Sequence, residues 1–285
     1  MKNHILSKIA IAILLLSLPT SLFSQEKLIS GIILDSLKNP IQYANIGVLN
    51  KPIGTVSNQK GEFNLSLDNS YLSDTLKISS LGYISKELLI KDLFNKPNSS
   101  IKLDDLIEEL NEVIVYSNNL EPHSKGREKT KTNQELFFVV PDMSNVNLGA
   151  EIGRKFSIGK EPANLTEFKF YLKQNNFEQV RFRINIYSIK KNIPQKRLNE
   201  KDIFSDINKD FTGWVSVDLS NYDITVNQDI IITIEWIEAS EKGDTLSLPI
   251  FAPSLSAIHY YKQSAQSKWR KYRLISTTML LNYNQ

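Results

Sequence analysis

Val180-Arg181-Phe182-Arg183-Ile184-Asn185-Ile186-Tyr187 alternates without a break. In an extended chain successive side chains point to opposite sides. Val180, Phe182, Ile184 and Ile186 therefore share one face, and Arg181, Arg183, Asn185 and Tyr187 the other. Period-two patterning of this length predicts a strand with one apolar face. Downstream, Asp229-Ile230-Ile231-Ile232-Thr233-Ile234-Glu235-Trp236-Ile237 is almost wholly apolar, as a strand buried on both faces would be. Between and around them lie Leu165-Thr166-Glu167-Phe168-Lys169-Phe170-Tyr171-Leu172 and Gly213-Trp214-Val215-Ser216-Val217-Asp218-Leu219. Further strand-like stretches run over 136–140, 149–158, 245–251, 258–262, 269–272 and 277–283. Eight to ten short strands with polar turns predict a jelly-roll-like β-sandwich over residues 135–285.

Residues 25–116 show the same style. Strand patterns at 27–34, 41–49, 62–67, 75–81 and 83–90 are separated by turn residues. Asn58-Gln59-Lys60-Gly61 reads as a tight turn, with Gly61 free to take the left-handed conformation. Residues 106–110 read as a short helical turn and 112–116 as a closing strand. Residues 117–134 are polar, with Leu120 the only aliphatic side chain, and read as a solvated linker. The fold class expected is all-β, with two sandwiches in series.

Residues 1–24 have the layout of a secretory leader. Lys2 and Lys8 precede the apolar run 9–16, Pro19 breaks it, and small residues precede Gln25. The run is shorter than the roughly 20 residues a membrane span needs. No later stretch is long and apolar enough to span, so no transmembrane segment is expected after leader removal. The expected location is the periplasm, the outer-membrane surface or the medium. Without Lys2 and Lys8 the chain has 32 basic against 31 acidic side chains, which gives nucleic acid no basic stripe to bind. Cysteine is absent, which excludes disulfides, thiol nucleophiles and thiolate metal sites.

Six short motifs follow one another in the first domain. They are Gly31-Ile32-Ile33-Leu34-Asp35, Asn39-Pro40-Ile41, Ala44-Asn45-Ile46, Gly54-Thr55-Val56-Ser57-Asn58, Gly61-Glu62-Phe63 and Leu76-Lys77-Ile78-Ser79-Ser80-Leu81-Gly82-Tyr83. In this order they resemble the carboxypeptidase regulatory-like domain, a transthyretin-like Greek-key sandwich common in the Bacteroidetes. The resemblance implies a stabilising or interaction module, not a peptidase. Asn58 departs from it, since the family more often has an acidic residue there. The same domain precedes the plug in TonB-dependent nutrient receptors, where a segment similar to Leu110-Asn111-Glu112-Val113-Ile114-Val115 leads onward. About 150 residues follow the linker, too few for the 22 or so strands of such a barrel.

No catalytic constellation is legible, and no cofactor or metal is expected. The mature chain has two isolated histidines, His123 and His259. Asp206, Asp210 and Asp218 lack calcium-loop spacing. Glu151, Glu235 and Glu238 read as solvated strand ends, and Trp214 and Trp236 as core anchors. The ligand-binding residues expected are Trp269, Tyr260, Tyr261, Arg270 and His259, as one aromatic and cationic rim suited to a glycan. The second sandwich is similar to galactose-binding-like and carbohydrate-binding sandwiches. The reading is a non-catalytic binding or assembly protein of the cell envelope, with a glycan or an envelope protein as partner. The alternatives are a polysaccharide-acting hydrolase and a structural accessory to a TonB-dependent receptor.

Overall fold

A computed structural model describes residues 26–96, 98–107, 120–140, 145–255 and 257–285. The leader expected over residues 1–24, most of the helical turn expected over 106–110 and the closing strand expected over 112–116 lie outside the described residues. Almost every element is a strand. In the first domain, Lys27–Leu34 pairs antiparallel with Glu62–Leu67 and parallel with Ser99–Lys102. Facing this sheet is a second one in the order Gly54–Val56, Asn45–Val48, Thr75–Ser79, Lys86–Leu89. Ile29, Ile33, Ile46, Phe63, Leu65 and Ile78 fill the space between them. The stretch expected as a strand over 83–90 is shorter, and Ile90–Phe94 forms one turn of α-helix that buries Ile90, Leu93 and Phe94.

Gly61 has φ +74, and a Cβ there would meet Ile33 O at 2.7 Å, so the turn requires glycine. Asn58 Oδ1 accepts the backbone N–H groups of Lys60 and Glu62 at 2.9 Å each. An amide oxygen thus does the capping work of the acidic residue usual in the resembling family.

The second sandwich packs a seven-stranded sheet on a five-stranded one. Gln179–Lys190 lies beside Ile230–Ala239, then Ala150–Phe156, Ile258–Lys262 and Arg270–Arg273. Opposite are Gly213–Asp218, Ala163–Leu172, Met279–Asn284 and Pro122–Gly126. Phe168, Phe170, Phe182, Ile184, Ile234 and Trp236 are all buried between the two. The register of Ala163–Leu172 shifts between Leu165 and Glu167. That bulge moves Leu165 to the buried side with Phe168, where strict alternation had set them on opposite faces.

The polar linker is only partly a connector. Pro122–Gly126 is exposed at every residue, as its composition requires, yet it pairs as an edge strand with Met279–Asn284. The two sandwiches are also in direct contact. Tyr43, Val56 and Ile237 form a small apolar core between them, with Leu148 and Phe204 packed against it. Asn145 exchanges two hydrogen bonds with the Ser66 backbone at 2.7 Å each. Gln266 accepts from Asn50 N at 3.0 Å and donates to Asn45 O at 3.2 Å. Gly47 and Gly54 admit the backbone of Ala265, whose oxygen lies 2.3 and 2.5 Å from where their Cβ atoms would be.

Candidate functional site

Adjacent residues on a strand face opposite ways, and this decides the fate of the expected rim. His259 and Tyr261 pair with Arg154 and Ile152 and lie on the core side of the sheet. Tyr260 and Lys262 pair with Gly153 and Glu151 and lie on the other side. His259 and Tyr260 are buried. Burial holds the His259 imidazole down to about 4, so it is neutral at physiological pH. Trp269 is half-buried and already engaged: the Lys262 ammonium sits 5.2 Å from its ring centroid, and Tyr187 meets it edge-on at 5.8 Å. Only Arg270 is freely exposed. The five residues do not form one rim, because strand alternation splits them between two faces.

The outer face of the seven-stranded sheet holds a buried pair of carboxylates. Glu151 and Glu235 stand directly opposite each other on neighbouring strands, and both are buried, not solvated. Two like charges so placed repel unless each is neutralised. Arg183 Nε donates to Glu235 at 2.8 Å, and the Lys262 ammonium donates to Glu151. Asn185 Nδ2 bridges the two carboxylates at 2.8 and 3.2 Å. Thr233 and Tyr187 donate their hydroxyls to Glu151 at 2.7 and 3.1 Å. Burial alone would raise the Glu235 carboxyl, but Arg183 and Lys262 outweigh it and hold it at about 2. Burial and both carboxylates push the Tyr187 phenol well above its usual range, so it remains a donor. The cluster is charge-balanced, and the first domain caps it: Arg183 Nη1 donates to Tyr43 O at 2.9 Å. Glu238 is likewise occupied, accepting the Tyr43 hydroxyl at 2.6 Å.

The outer face of the five-stranded sheet is different. Val215 and Val217 point inward, which turns Trp214, Ser216 and Asp218 outward. Trp214 is therefore not the core anchor expected, whereas Trp236 is, at 1% exposure. Tyr171 stands opposite Trp214 and meets it edge-on, at 5.5 Å and 85°. A recess of about 440 Å³ is lined by Glu128, Lys169, Trp214, Ser216 and Leu280. Beside it, Glu167 accepts from Asn282 Nδ2 at 2.7 Å, pairs with Lys169 at 3.0 Å and takes the Ser216 hydroxyl. Burial opposes ionisation of Glu167, but these partners win and keep its carboxyl below the usual value. The parity of Gly213-Trp214-Val215-Ser216-Val217 was the available sign that Trp214 faces out. An aromatic face amid amide, ammonium, carboxylate and hydroxyl groups can stack on a ring and bond its hydroxyls. Among the described residues no group of three or more acidic or histidine side chains is placed to hold a metal, and no helix is long and apolar enough to cross a membrane.

No curated protein matches the chain. Several solved structures do, at low similarity. One holds the cysteine protease and lectin-like domains of Cwp84, a surface layer associated protein of Clostridium difficile. It shows 9% identity and a TM-score of 0.37, over 48% of this chain and 32% of that one. A clostridial Cwp84 cysteine protease after propeptide cleavage shows 8% identity and a TM-score of 0.40, over 57% and 40%. The infectious bursal disease virus Gx strain structure shows 9% and 0.33, over 85% and 52%. The chain thus spans from about a third to about half of the length of these structures. Residues 29–115, which hold the six motifs from Gly31 to Tyr83, match the family model of the CarboxypepD_reg-like domain.

Proposed function

We propose that this is an exported, non-catalytic binding protein of a bacterial cell envelope, and that its second sandwich holds a glycan on the outer face around Trp214. The observation that carries the reading is the recess itself. Its half-buried indole is braced edge-on by Tyr171, next to Lys169, Ser216 and the Glu167–Asn282 pair. Export rests on the leader-like residues 1–24.

The hydrolase alternative is disfavoured by chemistry. A glycosidase needs one carboxyl group with a raised pKa, to donate a proton, opposite a second that stays ionised. Glu151 and Glu235 are opposed in register, but Glu235 is held at about 2 and both carboxylates are buried away from solvent.

The test is a glycan array with residues 25–285, read for the parent chain, Trp214→Ala and Trp269→Ala, each checked for an unchanged melting temperature. Binding lost in Trp214→Ala and kept in Trp269→Ala is the expected result. Binding that survives Trp214→Ala overturns the placement. New reducing ends released from any bound glycan, and abolished in Glu151→Gln, would overturn the non-catalytic reading. Signal in the cytoplasmic fraction alone, from cells expressing the full chain, would overturn export.

A further inference from the structure

Arg127 leaves the exposed edge strand and turns into the end of the second sandwich. Its Nε donates to Ser276 Oγ at 2.9 Å and its Nη2 to Ser254 Oγ at 2.5 Å. Arg154 reaches the same hydroxyl from the opposite sheet, with Nη1 3.1 Å from Ser276 Oγ and 3.1 Å from Thr277 O. Two guanidinium groups thus converge on one serine oxygen. Lys129 adds a third cation: its ammonium and the Arg127 guanidinium lie 5.6 and 4.7 Å from the Phe251 ring centroid.

Among the described residues no carboxylate lies within ion-pair distance of either arginine. Burial, and then the charge of Arg127, lower the Arg154 guanidinium to about 10. Arg154 Nε is buried with no hydrogen-bond partner. Elsewhere in this domain the arginines that are not exposed are matched by acids: Arg183 with Glu235, Arg181 with Asp206 and Arg197 with Asp202. Like cations held together in a half-buried place, with hydroxyls but no acid, lack the counter-charge that such a group requires.

The geometry points to an oxyanion-binding site at this end of the sandwich, in which the free N–H groups of Arg127 and Arg154 take a carboxylate or phosphate group. Guanidinium is the side chain suited to forked recognition of either. Behind Arg154 the cross-strand row continues through His259 to Tyr272, whose rings stack at 6.1 Å and 27°. Tyr272 is 41% exposed, and Leu274, two residues on, and Leu255, next to Ser254, are exposed too. The cationic pair therefore has an aromatic and aliphatic margin, which fits an anion carried on a larger organic body. The inference does not rest on the Trp214 recess, which lies on the outer face of the other sheet.

The test titrates residues 25–285 with inorganic phosphate, glucuronate and galactose at constant ionic strength, read by melting temperature and by isothermal titration. Phosphate or glucuronate is expected to bind saturably and galactose not to bind here. Arg127→Gln and Arg154→Gln are each expected to weaken that binding at least tenfold, and Arg127→Lys less than Arg127→Gln. Preference for glucuronate over phosphate assigns an acidic sugar, and the reverse assigns a phosphate group. No saturable binding of either anion, or binding by both glutamine variants as tight as that of the parent chain, overturns the site. Should Arg154→Gln fail to fold, Arg127→Gln at the exposed edge decides alone. Trp214→Ala is expected to leave anion binding intact, so failure here and failure of the glycan reading are separable.

Discussion

Replacing Arg183 by Met tests the buried charge cluster most directly. Arg183 is 1% exposed; its Nε holds Glu235 at 2.8 Å and its Nη1 holds Tyr43 O at 2.9 Å. Met keeps much of the length and removes the charge, leaving Glu235 opposite Glu151 with Lys262 as the only cation in the quartet. Removing one partner of a buried pair costs about 3–5 kcal/mol. The shift of Glu235 from 4.5 to about 2 gives a similar figure, about 3 kcal/mol at roughly 1.4 kcal/mol per pH unit. In a protein of this size that is a melting temperature lower by roughly 6–20 °C. Arg183→Met/Glu235→Met removes one charge of each sign and leaves the Glu151–Lys262 pair balanced. A buried pair replaced by apolar side chains is often neutral, so the double variant is expected to be more stable than either single one. Urea unfolding of all four proteins supplies the cycle. Its pH dependence supplies a sign. The folded pKa of Glu235 lies below its unfolded value, so its stabilisation is complete above pH 4.5 and disappears as pH falls towards 2. The gap between parent and Arg183→Met should therefore close over that window. Additive losses in the double variant, or a gap that ignores pH, would refute the reasoning.

His259 gives a second pH effect in a different window. Its folded pKa of about 4 lies below the ordinary 6.5, so the unfolded chain binds a proton the native one refuses. Stability should fall by about 3 kcal/mol from pH 6.5 to 4, and His259→Phe should flatten that slope in urea titrations at several pH values. Gly47→Ala would place a Cβ 2.3 Å from the Ala265 backbone oxygen, which cannot yield by turning a side chain. It should cost about 1–3 kcal/mol and speed hydrogen exchange at the Asn50 amide, which bonds Gln266 across the same contact; unchanged exchange would count against a rigid contact. Tyr43→Phe removes two bonds of 2.6 Å, to Glu238 and from Arg181. A loss of about 2 kcal/mol in thermal unfolding is expected, since both partners are charged.

Local alternation carried the architecture. The inward row Val180, Phe182, Ile184 and Ile186 is fully buried, as its period demands. The outward row misled, because Arg183 and Asn185 are buried too, under a domain that joins the sheet from more than 130 residues away in the chain. No local pattern records that a polar face will be covered. The rim of His259, Tyr260, Tyr261, Trp269 and Arg270 failed for a reason the sequence did contain: consecutive strand residues cannot share a face. Trp214 was misplaced for the same reason in reverse, since Val215 and Val217 had already claimed the inner side. Arg127 was read as one charge in a solvated connector. Its partners Ser254 and Ser276 are distant in sequence, so only the pairing of Pro122–Gly126 with Met279–Asn284 shows where it goes.

The packing of the two sandwiches also says where binding can occur. The outer face of the seven-stranded sheet is spent: Tyr43, itself 1% exposed with φ +55, caps Arg183, and Gly47 and Gly54 bring the first domain against Ala265. Two carboxylates and two cations there are paired within one hydrogen-bonded quartet, which leaves no unmatched charge in it for a ligand. What the first domain leaves open is the outer face of the five-stranded sheet, which carries Trp214, and the end of the sandwich, which carries Arg127 and Arg154. One presents ring and hydrogen-bonding groups without excess positive charge, the other positive charge without an acid. A neutral sugar and an anion would therefore sort themselves between the two places by chemistry alone.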